Sequence, residues 1–223
     1  MNQIRGLIFD FDGLILDTEG PEYAAWCEVF GEHGCELKIE DWSAGIGTQR
    51  GFDPYHHLQT LTGRAIVRDD LRPRVRRRLL ALIAQEVVRP GVTDYLDAAA
   101  RLGLSVGLAS SADRDWVTGH LTRLGLLDRF QTIQYWAEGT RPKPAPDLYL
   151  AALEVLGLSA AEAIALEDSP NGLAAAKAAG LYCVAVPSGP TATLDFSQAD
   201  VVIPSLAALP LAALLARARA RRP

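Results

Sequence analysis

The sequence predicts an α/β fold: a parallel β-sheet with helices on both faces, carrying a separate helical domain inserted after its first strand. Two observations lead there. Short apolar runs alternate with segments of helical periodicity over most of the chain, and the alternation fails in one block early on, where only helical patterns occur. At 223 residues, with 49% hydrophobic and 22% charged residues, the chain can bury one sizeable core plus an insertion.

The apolar runs lie at residues 4–9, 106–109, 133–135, 163–166, 183–186 and 201–203. They have the length of strands buried on both faces, as a parallel sheet demands. Helical patterns follow at 93–102, 114–124, 146–156, 170–179 and 206–220. The exceptional block, 18–89, contains helical patterns at 22–33 and 70–88 and is expected to form its own unit, leaving residues 1–17 and 90–223 as the sheet domain. Its connections are Asp17-Thr18 on one side and Arg89-Pro90-Gly91 on the other, the second a helix stop followed by a turn.

Charge and composition exclude several classes. A net charge of −5 gives no positive field for a nucleic acid or an anionic membrane, and no apolar stretch reaches the length of a membrane span. The first nine residues lack the pattern of a secretory signal, so a cytoplasmic location is expected. Cys27, Cys35 and Cys183 are odd in number and lack metal-binding spacing, which argues against disulfides and structural zinc.

Ligands of open parallel sheets bind beyond the carboxyl ends of the strands, so the polar residues after each apolar run carry the functional information. After the first run stand Asp10-Phe11-Asp12-Gly13, after the second Ser110-Ser111, and after the fourth Glu167-Asp168-Ser169-Pro170. Lys143 lies in the stiff segment Arg141-Pro142-Lys143-Pro144-Ala145-Pro146 that follows the third. Asp10, Asp12, Glu167 and Asp168 crowded on one edge would repel one another, and a hard cation resolves that conflict; magnesium suits an all-oxygen site and bridges to phosphate. In such a site Asp10 can attack phosphorus while Asp12 protonates the leaving oxygen and then activates water. Ser110 and the Ser111 backbone N–H can bind phosphoryl oxygens, Lys143 supplies a fixed positive charge, and Gly13 permits close backbone approach.

With these motifs in order, the chain resembles the haloacid dehalogenase superfamily, in its branch of β-phosphoglucomutase and small sugar-phosphate phosphatases. The resemblance runs through residues 8–19, Leu108-Ala109-Ser110-Ser111, Lys143-Pro144-Ala145-Pro146-Asp147 and Glu167-Asp168-Ser169-Pro170-Asn171-Gly172. It implies a Rossmann-like core with a helical cap over 18–89. It further implies magnesium held by the side chains of Asp10 and Asp168 and the carbonyl of Asp12, with Glu167 bound or just behind. Family members that cleave carbon–halogen bonds lack the second acid, so Asp12 favours phosphate esters.

The expected activity is therefore a magnesium-dependent phosphatase for a small phosphorylated metabolite, such as a sugar phosphate, in a monomer or weak homodimer. A phosphosugar mutase is the alternative, and a phospho-receiver signalling module is a third reading that leaves the insertion unexplained. Glu22 and Arg50 are the candidate specificity residues of the cap. Arg50 resembles the mutase's distal-phosphate arginine, whereas Glu22 replaces a mutase histidine and so counts against that activity. The arginines at 72, 74 and 76–78 read as a solvated helix face, His56-His57 is a poor metal pair because adjacent helical residues point apart, and His33 and His120 carry no signal.

Overall fold

The computed structural model describes residues 3–43 and 52–220. Its strands, β1 (Gly6–Phe9), β2 (Ser105–Ala109), β3 (Thr132–Gln134), β4 (Ala163–Glu167), β5 (Tyr182–Ala185) and β6 (Val201–Val202), pair in parallel in the order β3-β2-β1-β4-β5-β6. All six lie on the apolar runs read from the sequence. The chain builds outward from β1 to β2 and β3, then returns to the other side of β1 as β4. The connections leaving β1 and β4 therefore diverge, opening a crevice at their carboxyl ends.

Side-chain alternation splits the core between the two faces of the sheet. Leu7, Phe9, Leu108, Ile164, Leu166 and Val184 point to one face. They are covered by α5 (Val92–Arg101), α6 (Arg114–Arg123) and α9 (Leu211–Ala220). Ile8, Ala163, Ala165, Cys183 and Ala185 point to the other, beneath α7 (Asp147–Leu156) and α8 (Pro170–Ala178). That second face is made of small residues, which brings α7 close. A β-carbon at Gly107 would lie 3.1 Å from Leu156 Cδ1.

Between β1 and α5 the chain forms α1 (Glu19–Glu32), α2 (Ile39–Ser43), α3 (Pro54–Thr62) and α4 (Arg68–Ile83). Leu71, Val75, Leu79 and Ile83 of α4 make a buried stripe at four-residue spacing that packs with Ala25, Trp26, Val29 and Phe30 of α1. The arginines of α4 are not merely solvated. Arg74 pairs with Glu32, and Arg78 donates to Glu28 at 2.6 and 2.8 Å, so both tie α4 to α1. The two connections of this segment run side by side: the Arg89 backbone N–H donates to the Ile15 carbonyl (2.9 Å), and the Arg89 guanidinium lies 3.7 Å from the Asp17 carboxylate.

Two helices are shorter than their sequence patterns. The expected helix at 206–220 breaks into a 3-10 turn, Leu206–Ala208, and α9, because Pro210 forces Leu209 into an extended conformation. The expected helix at 70–88 ends as α4 at Ile83, where Arg123 donates to the carbonyls of Ile83, Ala84 and Glu86 (3.1, 3.4 and 2.9 Å). Among the described residues, no helix is long and apolar enough to cross a membrane.

Candidate active site

The first functional segment leaves β1 in a tight turn. The Asp10 backbone N–H donates to the Leu166 carbonyl (2.9 Å), carrying the β1/β4 ladder one residue past the strand and fixing Asp10 in the crevice. Phe11 is fully buried, and its carbonyl accepts from Ile15 (2.9 Å), folding the chain back on itself. Gly13 has φ +75°, and a β-carbon there would stand 1.9 Å from Asp168 Oδ2. Close approach of the backbone at Gly13 is thus required by the carboxylate it faces.

Lys143 is the centre of charge. Its ammonium donates to Asp10 Oδ1 and to Glu167 Oε1 (2.6 Å), and all three groups are buried. Tyr149, from α7, donates its hydroxyl to the same Glu167 oxygen (2.5 Å). Asp168 stands beside them, 3% exposed. Side-chain oxygens of Asp10, Glu167 and Asp168 lie within 4.8 Å of one another, an all-oxygen group able to hold a metal ion. One ammonium cannot balance three carboxylates, so the donor set and its charge both fit a hard divalent cation.

The electrostatics reflect that imbalance. Burial, opposed by Lys143 and reinforced by Glu167 and Asp12, pushes the Asp10 carboxyl up to about 8. Burial and the neighbouring Asp10 and Glu167 raise Asp168 well above the usual carboxylate range. Burial disfavours the Lys143 ammonium, but Asp10 and Glu167 more than offset it and raise its pKa. Tyr149 is likewise raised well above normal, by burial and by Glu167, and stays a hydrogen-bond donor.

Asp12 occupies a different environment, although only one residue separates it from Asp10. Its side chain makes no hydrogen bond to Lys143 and accepts from the Trp116 indole N–H at 2.9 Å, from Ser110 Oγ at 3.4 Å and from the Thr18 side chain. Burial raises its pKa against the pull of these donors. Ser110 is buried and also accepts from the Ala112 N–H (3.0 Å). Ser111 accepts the Lys143 backbone N–H on its hydroxyl (3.1 Å), which links the loop after β2 to the lysine segment.

Of the candidate residues, Asp10, Lys143, Glu167 and Asp168 form one cluster, with Asp12 and Ser110 in a second beside it. Glu22, in the first turn of α1, interacts electrostatically with Asp12 and with Arg76, and burial and Asp12 raise its pKa. Arg50 lies outside the described residues. His57 stacks on Phe30 (5.7 Å between ring centroids), and His120 packs edge-on to Trp116 (4.5 Å).

Four residues to which the sequence reading gave no role in the site belong here. Thr18 and Trp116 hold Asp12, Tyr149 holds Glu167, and Glu19 is pushed up to about 8 by burial and by Glu22, Asp12 and Asp17. Trp116 and Tyr149 reach the site from helix faces rather than from strand ends. The only sequence signal for either is a polar-edged aromatic early in a helix that follows a site loop.

Comparison with known proteins agrees with this layout. A protein-family model described as haloacid dehalogenase-like hydrolase matches residues 7–186. YhcW of Bacillus subtilis (strain 168), a phosphatase by name, is 48% identical over 212 residues, covering 95% of this chain and 96% of that protein. Hexitol phosphatase B of Escherichia coli (strain K12) is 32% identical over 214 residues, covering 93% and 95%. A HAD family hydrolase from Deinococcus radiodurans R1, solved with bound phosphate and sodium, superposes with a TM-score of 0.81 at 28% identity, covering 98% of each chain. A family match over most of the sheet, and a near-full-length relative at almost half identity, place this hydrolase: the chain belongs to the haloacid dehalogenase-like hydrolase family.

Proposed function

We propose that the protein is a phosphoric monoester hydrolase for small phosphorylated metabolites, of the sugar- or hexitol-phosphate class, with Asp10 as nucleophile and Asp12 as proton donor and acceptor. The observation that carries this reading is the division between the two acids. Asp10 faces Lys143 and the carboxylate cluster, whereas Asp12 is held apart by Trp116, Ser110 and Thr18. One acid is set up to attack, the other to move a proton. The hexitol phosphatase among the relatives, and the phosphate bound in a structural relative, support the substrate class.

In this reading the Asp10 carboxylate attacks phosphorus, forming a new P–O bond as the ester P–O bond breaks, and Asp12 gives its proton to the departing oxygen. Asp12 then takes a proton from water, whose oxygen displaces the aspartate from phosphorus, releasing inorganic phosphate and restoring Asp10. Lys143 holds Asp10 and Glu167 in place and offers positive charge to the transferring group. Ser110 and the Ser111 N–H bind phosphoryl oxygens. The residues that would hold magnesium are Asp10, Asp168 and the Asp12 carbonyl, with Glu167 alongside. When bound, the ion neutralises charge on the phosphoryl group. Residues 18–89 act as a cap over the core formed by 1–17 and 90–223, excluding water and contributing Glu22 and Arg50 to substrate selection.

The test is magnesium-dependent phosphate release from para-nitrophenyl phosphate and from a panel of sugar and hexitol phosphates. Asp10→Asn is expected to abolish it. Full activity in that variant would overturn the mechanism. Conversion of glucose 1-phosphate to an isomeric phosphate in the presence of a bisphosphate primer would instead identify a mutase.

A further inference from the structure

Trp116 stands in the first turn of α6, where its backbone N–H is fixed by the Asp113 side chain (2.9 Å). Its indole N–H points to Asp12 Oδ1 at 2.9 Å. One side of the ring carries the Arg76 guanidinium of α4, 5.0 Å from the ring centre, and His120 packs edge-on one turn further along α6. Behind the indole lies an open groove of about 770 Å³, bordered by Arg76, Arg114, His120, Tyr135 and Trp136. The ring packs against the edge of the core and is flanked by Arg76 and His120, with the groove open beside it.

An indole N–H can donate but never accept. Oδ1 is committed to that donor, whereas Oδ2 faces the Ser110 hydroxyl at 3.4 Å, which can turn from donating to accepting, so a proton on the Asp12 carboxyl is favoured on Oδ2. Ser110 is where a phosphoryl oxygen is expected, so the proton is presented toward the substrate. We propose that Trp116 is a positioning residue that sets which oxygen of Asp12 delivers the proton to the leaving group, and that Arg76 couples this setting to α4 through the indole ring. The inference rests on Asp12 being the proton donor.

Leaving-group dependence reads this role directly. Phenoxide needs a proton when it departs and para-nitrophenoxide needs much less, so the ratio of kcat/KM for phenyl phosphate to that for para-nitrophenyl phosphate reports proton delivery. That ratio is independent of how much of a variant is folded. Trp116→Phe keeps a ring and removes the N–H, and is expected to lower the ratio about 10-fold, as loss of a hydrogen bond to a charged group would. Arg76→Gln should lower it less, in the same direction. An unchanged ratio in Trp116→Phe overturns the positioning role, and an unchanged ratio in Arg76→Gln alone overturns the coupling to α4. Asp12→Asn separates the two levels: a lowered ratio there with none in Trp116→Phe sinks only the inference, whereas a wild-type ratio in Asp12→Asn removes the reading beneath it.

Discussion

Gly172 leaves no room for a side chain against Glu167: a β-carbon there would stand 1.9 Å from Oε2 and 2.0 Å from Oε1. The first turn of α8, capped by Ser169 through the Gly172 N–H (3.1 Å), is thus pressed onto the carboxylate that anchors Lys143. Gly172→Ala is expected to displace Glu167 and loosen the ammonium from Asp10, raising the magnesium concentration needed for half-maximal activity about 10-fold, equivalent to about 1.4 kcal/mol. A magnesium titration of phosphate release checks it, and a wild-type midpoint would contradict the contact.

Lys143→Met removes the cation shared by two buried carboxylates. Breaking such a pair from one side typically costs about 3–5 kcal/mol, because the remaining charges are left uncompensated. Urea denaturation without magnesium should show this loss above about pH 8, where Asp10 is ionised. Part of it should return as pH falls through about 8 and Asp10 takes up a proton.

Metal and pH should act on the same groups. Asp10 and Glu19, each with a pKa pushed up to about 8, bind protons more tightly in the folded chain than in the unfolded one. Their stabilising contribution is complete below the ordinary carboxylate range near pH 4 and is lost as pH rises through about 8. Metal-free protein should therefore lose stability across that window. A cation must displace the proton on Asp10, so the rise in Tm on adding magnesium should be larger at about pH 8 than at about pH 5.5. Melts with chelator and with magnesium at both pH values provide the comparison; an equal rise would show that Asp10 is already ionised in the free protein.

Arg123 ties α6 to the end of α4 through three backbone carbonyls. Arg123→Ala should cost about 1–2 kcal/mol in chemical denaturation. Faster amide hydrogen exchange in the segment after Ile83 should accompany it. Normal exchange there would mean that the helix end holds without the arginine.

The sheet was legible because parallel strands buried on both faces must be apolar runs, and each run from residues 4–9 to 201–203 became a strand. Asp10, Lys143, Glu167 and Asp168 were legible as a group because the topology gathers strand ends on one edge. Trp116 and Tyr149 were not, since helix faces approach the site in ways that spacing along the chain does not encode. The departures from the predicted helices at 206–220 and 70–88 also depended on particulars: Pro210 splits the first, and Arg123, forty residues away in sequence from Ile83, donates to the carbonyls at the end of the second. Arg50 falls outside the described residues, so its place in the cap stays a proposal.

The meeting of Asp17 and Arg89 has a practical meaning for engineering. The chain departs and returns at one spot, so under the proposed division residues 18–89 have two ends that need only a short turn to join them. Closing so small a gap carries little entropic penalty. If selectivity resides in 18–89 as proposed, a graft of this segment from a relative with a different substrate, joined at Asp17 and Arg89, is expected to change substrate choice without recutting the sheet.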